Sequence, residues 1–217
     1  MISAREITKV CDGRPVLNGV SVDVKRGECV GITGPAGCGR TTLLRILAAR
    51  VRPTHGTLTI DGIDAVKDPF RVRRHVAYVD PTDSAGAGLR VGEYLSFVAR
   101  VRAHDAASAG NVREAVLRAA LKPDMAIDAL APNRRAALAA AAALVVRPDV
   151  LLVDDLFRAI EPAARSAVMD WLSETRQQGS ALVVASGVPA DVIGLCHRGL
   201  RLESGRIAAE WGAADRP

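Results

Sequence analysis

Hydrophobic and polar residues alternate along the first part of the chain. Apolar side chains recur at about every second position in Ile2–Val10 and again in Val16–Val24, on either side of the turn-forming residues CDGR. Such alternation is typical of strands that bury one face. The pattern therefore predicts a pair of antiparallel strands.

The following segments change from strand to helix periodicity. Glu28–Thr33 (ECVGIT) is a short apolar run that leads into a glycine-rich stretch, and Arg40–Arg50 carries apolar residues at helical spacing. The residues RPTHG end that helix, and the run TLTIDG comes next. This order predicts a strand, a glycine-rich loop, a helix and another strand.

The middle of the chain has helical patterns only. A strand-like run, HVAYV, leads through the loop Asp80–Gly88 into predicted helices at Val91–Arg102 and Val112–Leu121, with no strand between them. From Asp149 strands and helices alternate again: DVLLVDD, a helix over Ala163–Gln178, ALVVAS, and a closing hairpin around Glu203–Arg206. Alternation of this kind predicts an α/β core.

The division of the chain follows from these elements. We expect one α/β domain over residues 1–217, with an N-terminal antiparallel β subdomain and an inserted α-helical subdomain. The core would comprise residues 1–83 and 148–217, and the helical subdomain residues 84–147.

Composition and charge narrow the class of protein. The chain has 217 residues, 49% of them hydrophobic and 24% charged, which is typical of a globular protein. The longest apolar run, Ala136–Val146, has 11 residues, whereas a membrane-spanning helix needs about 20. The start of the chain lacks a signal-peptide pattern. The net charge of +5 is spread along the chain and few aromatic residues accompany it, so we expect no nucleic-acid partner.

The four cysteines carry no metal or disulfide pattern. Cys11, Cys29, Cys38 and Cys196 are widely separated along the chain without a C-x-x-C pair. This spacing fits neither a disulfide framework nor a zinc site. We interpret them as free thiols in a cytosolic protein.

Residues 34–42, GPAGCGRTT, nearly match the phosphate-binding loop G-x-x-x-x-G-K-[ST] of P-loop NTPases. Glycines let successive backbone N–H groups curve around phosphates, and the positive end of the following helix adds to the attraction. Arg40 replaces the lysine with a wide planar fork. The alternative is a glycine-rich turn without a ligand. The nucleotide-binding candidates are Gly34, Pro35, Ala36, Gly37, Cys38, Gly39, Arg40, Thr41 and Thr42.

A second candidate element is the apolar strand VLLVDD, which ends in Asp154 and Asp155. Asp154 and the Thr41 hydroxyl are the candidate Mg²⁺ ligands, because a carboxylate at a strand end and a P-loop hydroxyl hold the metal in P-loop NTPases. Carboxylates at strand ends also occur without a metal role. Both elements in this order favour the nucleotide interpretation over the empty turn.

Over nearly its whole length the chain resembles the ATP-binding cassette family, the motor subunits of ABC transporters. Three segments carry the resemblance: ITKVCDGRPVLNGVSVDVKRGECVGITGPAGCGRTTLLRILAARVRPTHGTLTIDG, RPDVLLVDDLFRAIEPAARSAVMDWL and RGLRLESGRI. It implies a P-loop NTPase core, ATP and Mg²⁺ as cofactors, and a head-to-tail homodimer or heterodimer of cassettes. It also implies a separately encoded transmembrane permease subunit, which would hold the protein on the inner face of the membrane.

Several positions depart from the family pattern. Cys11 stands where the adenine-stacking aromatic is expected, and Pro81 where a glutamine is expected. The signature LSGGQ aligns with Leu130–Arg134 (LAPNR), and Glu161 replaces the D-loop aspartate. Pro132 has no N–H and cannot copy a glycine backbone, so LAPNR is also interpreted simply as the start of an alanine-rich helix.

The catalytic positions are altered as well. Asp155 stands for the general-base glutamate and is a weak base candidate, Gly187 stands for the switch histidine, and Arg40 for the P-loop lysine. We treat these as three independent losses and expect an ATP-binding subunit with slow hydrolysis. The alternative is a non-catalytic cassette with a regulatory or scaffolding role. Soluble cassettes that act on ribosomes or DNA, and small-molecule P-loop kinases, fit the chain less well.

Overall fold

A computed structural model describes residues 1–82, 86–102 and 108–212. The strands, in chain order, are β1 (Ile2–Cys11), β2 (Arg14–Val24), β3 (Cys29–Thr33), β4 (His55–Ile60), β5 (Ile63–Asp64), β6 (Val76–Val79), β7 (Val150–Asp154), β8 (Ala181–Ser186), β9 (Arg198–Glu203) and β10 (Arg206–Trp211). The helices are α1 (Arg40–Leu47), α2 (Pro69–His75), α3 (Val91–Arg102), α4 (Ser108–Arg118), α5 (Pro132–Val146), α6 (Leu156–Ala159), α7 (Arg165–Gln177) and α8 (Ala190–Ile193).

The strands form two sheets. The first is antiparallel, in the order β2-β1-β4-β5, and the predicted pairing of its first two strands is confirmed by the partners Ile2 and Val24. The second has the order β10-β9-β3-β8-β7-β6, in which only β10 runs antiparallel to its neighbour. The α/β fold with an antiparallel β subdomain is therefore as predicted.

The central strands of the second sheet are covered on both faces. Every residue of β3, β7 and β8 is buried, as expected for parallel strands between two layers. Alternate residues face opposite sides: Val30, Leu152 and Val183 pack with α1 and the first sheet, whereas Leu151 and Val184 pack with α5 and α7. These three strands therefore lie between two layers of the fold.

The carboxyl ends of β3, β7 and β8 lie side by side. Thr33 pairs with Ser186, and Asp154 pairs with Ala185. The loops that follow these strands are the glycine-rich loop, the residues after Asp154, and the turn that contains Gly187. Loops at the carboxyl edge of a parallel sheet are where α/β proteins bind ligands.

The three helices α3, α4 and α5 pack against one another around a separate apolar cluster that includes Leu95, Val116, Leu138 and Val145. Helix α5 begins at Pro132, at a position where the missing N–H is tolerated. This agrees with the simple interpretation of LAPNR as a helix start. Among the described residues, no helix is long and apolar enough to span a bilayer.

Most predicted elements are present, some with shifted ends. The predicted helix Val112–Leu121 is α4 at Ser108–Arg118, and α7 begins at Arg165 after a 3-10 turn. The predicted boundary at residues 83 and 84, and the middle of the loop Asp80–Gly88, lie outside the described residues. The short elements α2, β5, α6 and α8 were not predicted.

Two of the four cysteines are neighbours in space. The Cys29 and Cys196 sulfur atoms lie 2.9 Å apart in the interior, although their positions are 167 residues apart along the chain. Burial raises the pKa of the Cys29 thiol well above its usual value. All four cysteines are free thiols, as predicted, and Cys11 is exposed.

Candidate functional site

The glycine-rich loop joins β3 to α1 in a backbone conformation that other residues rarely adopt. Gly34, Gly37 and Gly39 have φ values of 147°, 77° and 107°. The Cys38 amide donates to the Pro35 carbonyl at 3.2 Å, which closes the turn. Gly39 precedes the helix and supplies no side-chain cap, so the amides of the first turn are available to a ligand.

The three glycines differ in what surrounds them. A Cβ at Gly34 would lie 2.2 Å from the Leu202 carbonyl oxygen, and one at Gly39 would lie 2.7 Å from Leu17 Cδ2. A Cβ at Gly37 would have no atom within 4 Å. Gly34 and Gly39 therefore allow close packing of the loop against the fold, whereas Gly37 borders open space.

Asp154, the last residue of β7, is a buried carboxylate. The Tyr78 hydroxyl donates to its Oδ2 at 2.9 Å, and its Oδ1 has no hydrogen-bond partner among the described residues. Burial raises the pKa of Asp154, an effect that hydrogen bonds from Tyr78 and Thr41 oppose. A buried hydrogen-bond acceptor without a partner lowers the stability of the fold. A ligand bound at Asp154 would supply the missing partner.

The residues around Asp154 fit a magnesium ion. Mg²⁺ prefers oxygen ligands and is commonly held by one or two carboxylates together with phosphate oxygens and water. Asp154 and the Thr41 hydroxyl supply such oxygens at one place. No group of three or more His, Cys, Asp or Glu side chains suited to a metal occurs within the described residues, so a metal here would depend on other ligands such as phosphate.

The Arg40 side chain lies beneath the loop and is largely buried, with 10% of it exposed. Its Nη1 donates to the Gly34 carbonyl and, at 2.9 Å, to the Pro35 carbonyl. Its Nη2 donates to Asp155 Oδ2 at 3.1 Å. Its Nε is buried without a partner among the described residues. The guanidinium thus joins the loop to the residue that follows Asp154.

Asp155 is held on two sides. Its Oδ2 accepts from Arg40, and its Oδ1 accepts from the Gly187 amide at 2.9 Å. Its backbone is left-handed, with φ at 45°, a conformation that aspartate tolerates better than most residues. A Cβ at Gly187 would lie 3.3 Å from Arg40 Nη2. Arg40, Asp155 and Gly187, which the sequence analysis singled out one by one, are therefore neighbours in the structure.

Comparison with known proteins places the chain in a family. A family model described as ABC transporter matches residues 17–158, about two thirds of the chain. The chain belongs to the ABC transporter family.

Relatives over the full length agree with this assignment. A Halobacterium salinarum protein named as an ABC transporter ATP-binding protein, VNG_2317G, is 31% identical over 99% of this chain and 94% of its own length. The Nod factor export ATP-binding protein I of Burkholderia thailandensis is 29% identical over 96% of this chain and 70% of its own length. The chain is thus an ATP-binding subunit of this family, as predicted.

Solved structures share the fold. An ATP-binding subunit of an ABC transporter superimposes with a TM-score of 0.93 at 20% identity, covering 99% of this chain and 91% of that one. The dimeric bacterial cassette MJ0796 superimposes with a TM-score of 0.88 at 22% identity, covering 98% of both chains.

The other positions that depart from the ABC pattern are also placed by the structure. Cys11 is exposed at the end of β1, and Pro81 follows Asp80, which forms an ion pair with Arg45 at 3.3 Å. Asn133, in LAPNR, donates a hydrogen bond to Glu161. The structure thus joins LAPNR to the segment that contains Glu161, which the sequence did not connect.

Two features of the site were missed by sequence reasoning. Tyr78 supplies the hydroxyl that donates a hydrogen bond to Asp154. The only indication of this in the sequence was a tyrosine, whose side chain ends in a hydroxyl, in the strand that pairs in parallel with β7. Asp191 is buried and accepts from Ser186 Oγ at 2.7 Å and from Arg165. This network fixes the turn that presents Gly187.

Proposed function

We propose that this ABC subunit binds Mg-ATP at the loop of residues 34–42 and hydrolyses it slowly. The observation that supports this proposal is a pair of buried polar atoms, Arg40 Nε and Asp154 Oδ1, that have no hydrogen-bond partner among the described residues and lie beside a loop whose Gly37 borders open space. A donor and an acceptor that both lack partners suit a ligand that combines anionic phosphate with a cation.

Each residue has a proposed role. The backbone amides of the loop would surround the phosphates, with the open space at Gly37 as their place. Thr41 and Asp154 would hold Mg²⁺, which neutralises charge on the phosphates when it is bound. The proposed nucleotide-binding set is Gly34, Pro35, Ala36, Gly37, Cys38, Gly39, Arg40, Thr41 and Thr42.

Slow hydrolysis follows from how the remaining groups are held. Asp155 would act as the base, but its side chain is one methylene shorter than that of glutamate and its Oδ1 accepts from the Gly187 amide at 2.9 Å. Both features leave it poorly placed to take a proton from water. At LAPNR, Ala131 has no hydroxyl and Pro132 has no N–H to offer a nucleotide held by a partner cassette.

The proposed assembly is that of an ABC transporter. Two cassettes, identical or different, would form a dimer, and a separately encoded transmembrane subunit would hold them at the cytoplasmic face of the membrane. The division into a core of residues 1–83 and 148–217 and a helical subdomain of residues 84–147 belongs to this proposal. The separate apolar cluster of α3, α4 and α5 supports it.

The second candidate is a cassette that binds nucleotide without turnover and serves a regulatory or scaffolding role. The contact between Arg40 and Asp155 favours it, because the base candidate is engaged by a protein cation. The two candidates differ in whether ATP is consumed when the membrane partner is present.

Calorimetry with purified protein tests ATP binding. We expect binding at millimolar ATP or tighter, a loss of affinity when EDTA removes Mg²⁺, and weaker binding by Arg40→Ala. No heat of binding at millimolar ATP, or an unchanged affinity in Arg40→Ala, would contradict the proposal.

Phosphate release with the membrane partner in vesicles then separates the two candidates. Turnover above that of a vesicle without the cassette supports the transporter motor. Nucleotide binding without any turnover supports the regulatory subunit.

A further inference from the structure

Arg40, Asp155 and Gly187 form one contact cluster that ties the glycine-rich loop to the end of β7. The Arg40 guanidinium bridges the carbonyls of Gly34 and Pro35 on one side and Asp155 on the other. The loop and the base candidate are therefore joined by a single side chain.

The three residue types suit this contact. A guanidinium has several donors in a planar fork, so it can bind backbone carbonyls and a carboxylate at once, whereas an ammonium is a compact point charge. Gly187 leaves room for that fork, because a Cβ there would lie 3.3 Å from Nη2. Aspartate suits the left-handed backbone at position 155.

The same guanidinium belongs to a residue that is proposed to bind phosphate, because Arg40 directly follows the glycine-rich loop at the start of α1. Phosphate oxygens and a carboxylate compete for the same donors, because both accept charge-assisted hydrogen bonds in the same geometry. A phosphate that takes the Nη2 hydrogen now bound to Asp155 breaks the contact between the two side chains. Binding of one acceptor therefore opposes binding of the other.

We propose that the contact between Arg40 and Asp155 is a latch, which the phosphates of ATP open. In the closed state Arg40 positions Asp155 against the Gly187 amide. ATP draws the guanidinium away and frees the Asp155 carboxylate. This inference rests on the proposed function and adds that Asp155 opposes nucleotide binding.

The latch is expected to have a modest effect on affinity. The exposed fractions of the two side chains, 10% for Arg40 and 33% for Asp155, make the pair partly buried. Exposed pairs contribute up to about 1 kcal/mol, and a pair with one buried partner should reach that upper value. Removal of the charge on Asp155 should therefore tighten ATP binding about fivefold, which corresponds to about 1 kcal/mol at 1.4 kcal/mol per tenfold.

The first experiment measures the ATP affinity of wild type and Asp155→Asn by calorimetry. Asparagine keeps the size of the side chain and tolerates the left-handed backbone. The tightening should be lost in an Arg40→Lys background, because the double-mutant cycle isolates the interaction between the two side chains. Thermal melts of each variant without nucleotide check that it is folded.

Asp61→Asn is the matched control. Asp61 also has a left-handed backbone, with φ at 49°, and forms an ion pair with Arg26 at 2.7 Å. Asp61 follows β4 in the first sheet, and its ion-pair partner Arg26 does not belong to the glycine-rich loop. The same change of charge at Asp61 should leave ATP affinity unaltered.

Gly187→Ala supplies an independent perturbation. The added methyl group would press on Arg40 Nη2 and loosen its contact with Asp155. Gly187→Ala should tighten ATP binding about two- to fivefold, in the same direction as Asp155→Asn. The upper value corresponds to complete loss of the ion pair between Arg40 and Asp155.

The outcomes separate the latch from the proposed function. Wild-type ATP binding with an equal or weaker affinity in Asp155→Asn overturns the latch and leaves the proposed function standing. Tightening that persists in full in the Arg40→Lys background also overturns it. No ATP binding by the wild type overturns both.

Discussion

Alanine substitutions at Gly34 and Gly37 should separate the structural and functional roles of glycine in the loop. At Gly34 the new methyl would lie 2.2 Å from the Leu202 carbonyl oxygen and 2.8 Å from Cys38 Sγ. At Gly37 it would meet no atom within 4 Å. We expect Gly34→Ala to damage the fold, and Gly37→Ala to damage ATP binding.

The sizes of the two effects follow from the contacts. Gly34→Ala must move the Leu202 carbonyl by about 1 Å, since carbon and oxygen atoms approach to about 3.3 Å. Overpacking costs about 1–3 kcal/mol and a positive φ costs about 1–2 kcal/mol, so the free energy of unfolding should fall by about 3–4 kcal/mol. Gly37→Ala carries only the second cost, about 1–2 kcal/mol.

The assays are a thermal melt without nucleotide and a calorimetric titration with Mg-ATP. For a chain of this size 1 kcal/mol shifts the melting temperature by about 2–4 °C. Gly34→Ala should thus melt about 10 °C lower, and Gly37→Ala about 4 °C lower. Gly37→Ala should also bind ATP at least about tenfold more weakly, because the methyl occupies the space proposed for phosphate.

Gly62→Ala is the matched control for Gly37→Ala. Gly62 has φ at 76°, almost the 77° of Gly37, and it also has no atom within 4 Å of an added Cβ. The two variants should lose similar stability, and only Gly37→Ala should lose ATP affinity. If both bind ATP like the wild type, the loop does not hold phosphate at Gly37.

Further predictions concern the buried carboxylate, the exposed thiol and turnover. Burial raises the pKa of Asp154, so its protonated form favours folding at low pH and this stabilisation is lost as pH rises through the raised pKa. Asp154→Asn should therefore raise the free energy of unfolding at neutral pH by about 1 kcal/mol, which urea unfolding at several pH values checks. The same substitution should abolish the Mg²⁺ dependence of ATP binding. Cys11, the exposed thiol, should react with a thiol reagent more slowly when ATP is bound; an unchanged rate would refute its placement at the adenine. Wild-type turnover in a phosphate-release assay should lie far below about 10 s⁻¹; several turnovers per second would refute the interpretation of Arg40, Asp155 and Gly187 as disabling. Asp155→Glu should recover little activity, because glutamate at a left-handed φ adds strain of about 1–2 kcal/mol. Adding Gly187→His and LSGGQ at residues 130–134 to Asp155→Glu should restore measurable turnover only together with Arg40→Lys, since a side chain at 187 needs the space of the guanidinium.

Much of the fold could be predicted because the signals are local. The alternation in Ile2–Val10, the buried run before Asp154 and the glycines of residues 34–39 each reflect one element and its immediate burial. Short elements such as α2 and α8 escaped prediction because a single helical turn has too few positions to show a period.

The position of the site could be predicted for a related reason. A strand followed by a glycine-rich loop and a helix, and a later strand that ends in Asp154, place both elements at carboxyl ends of strands. Parallel pairing brings such ends to one edge of a sheet. The order of elements along the chain therefore predicted that the glycine-rich loop and Asp154 lie at the same edge of the sheet, as they do in the structure.

The sequence by itself determined most element types and the glycine-rich loop, because periodicity and glycine content are properties of short segments. Only the tertiary structure decided that Arg40 reaches Asp155 across 115 positions of chain, and that Cys29 meets Cys196 across 167. Those contacts depend on strand order and on the space left at Gly187. Packing sets both, since a side chain can adopt only the direction that its neighbours leave open.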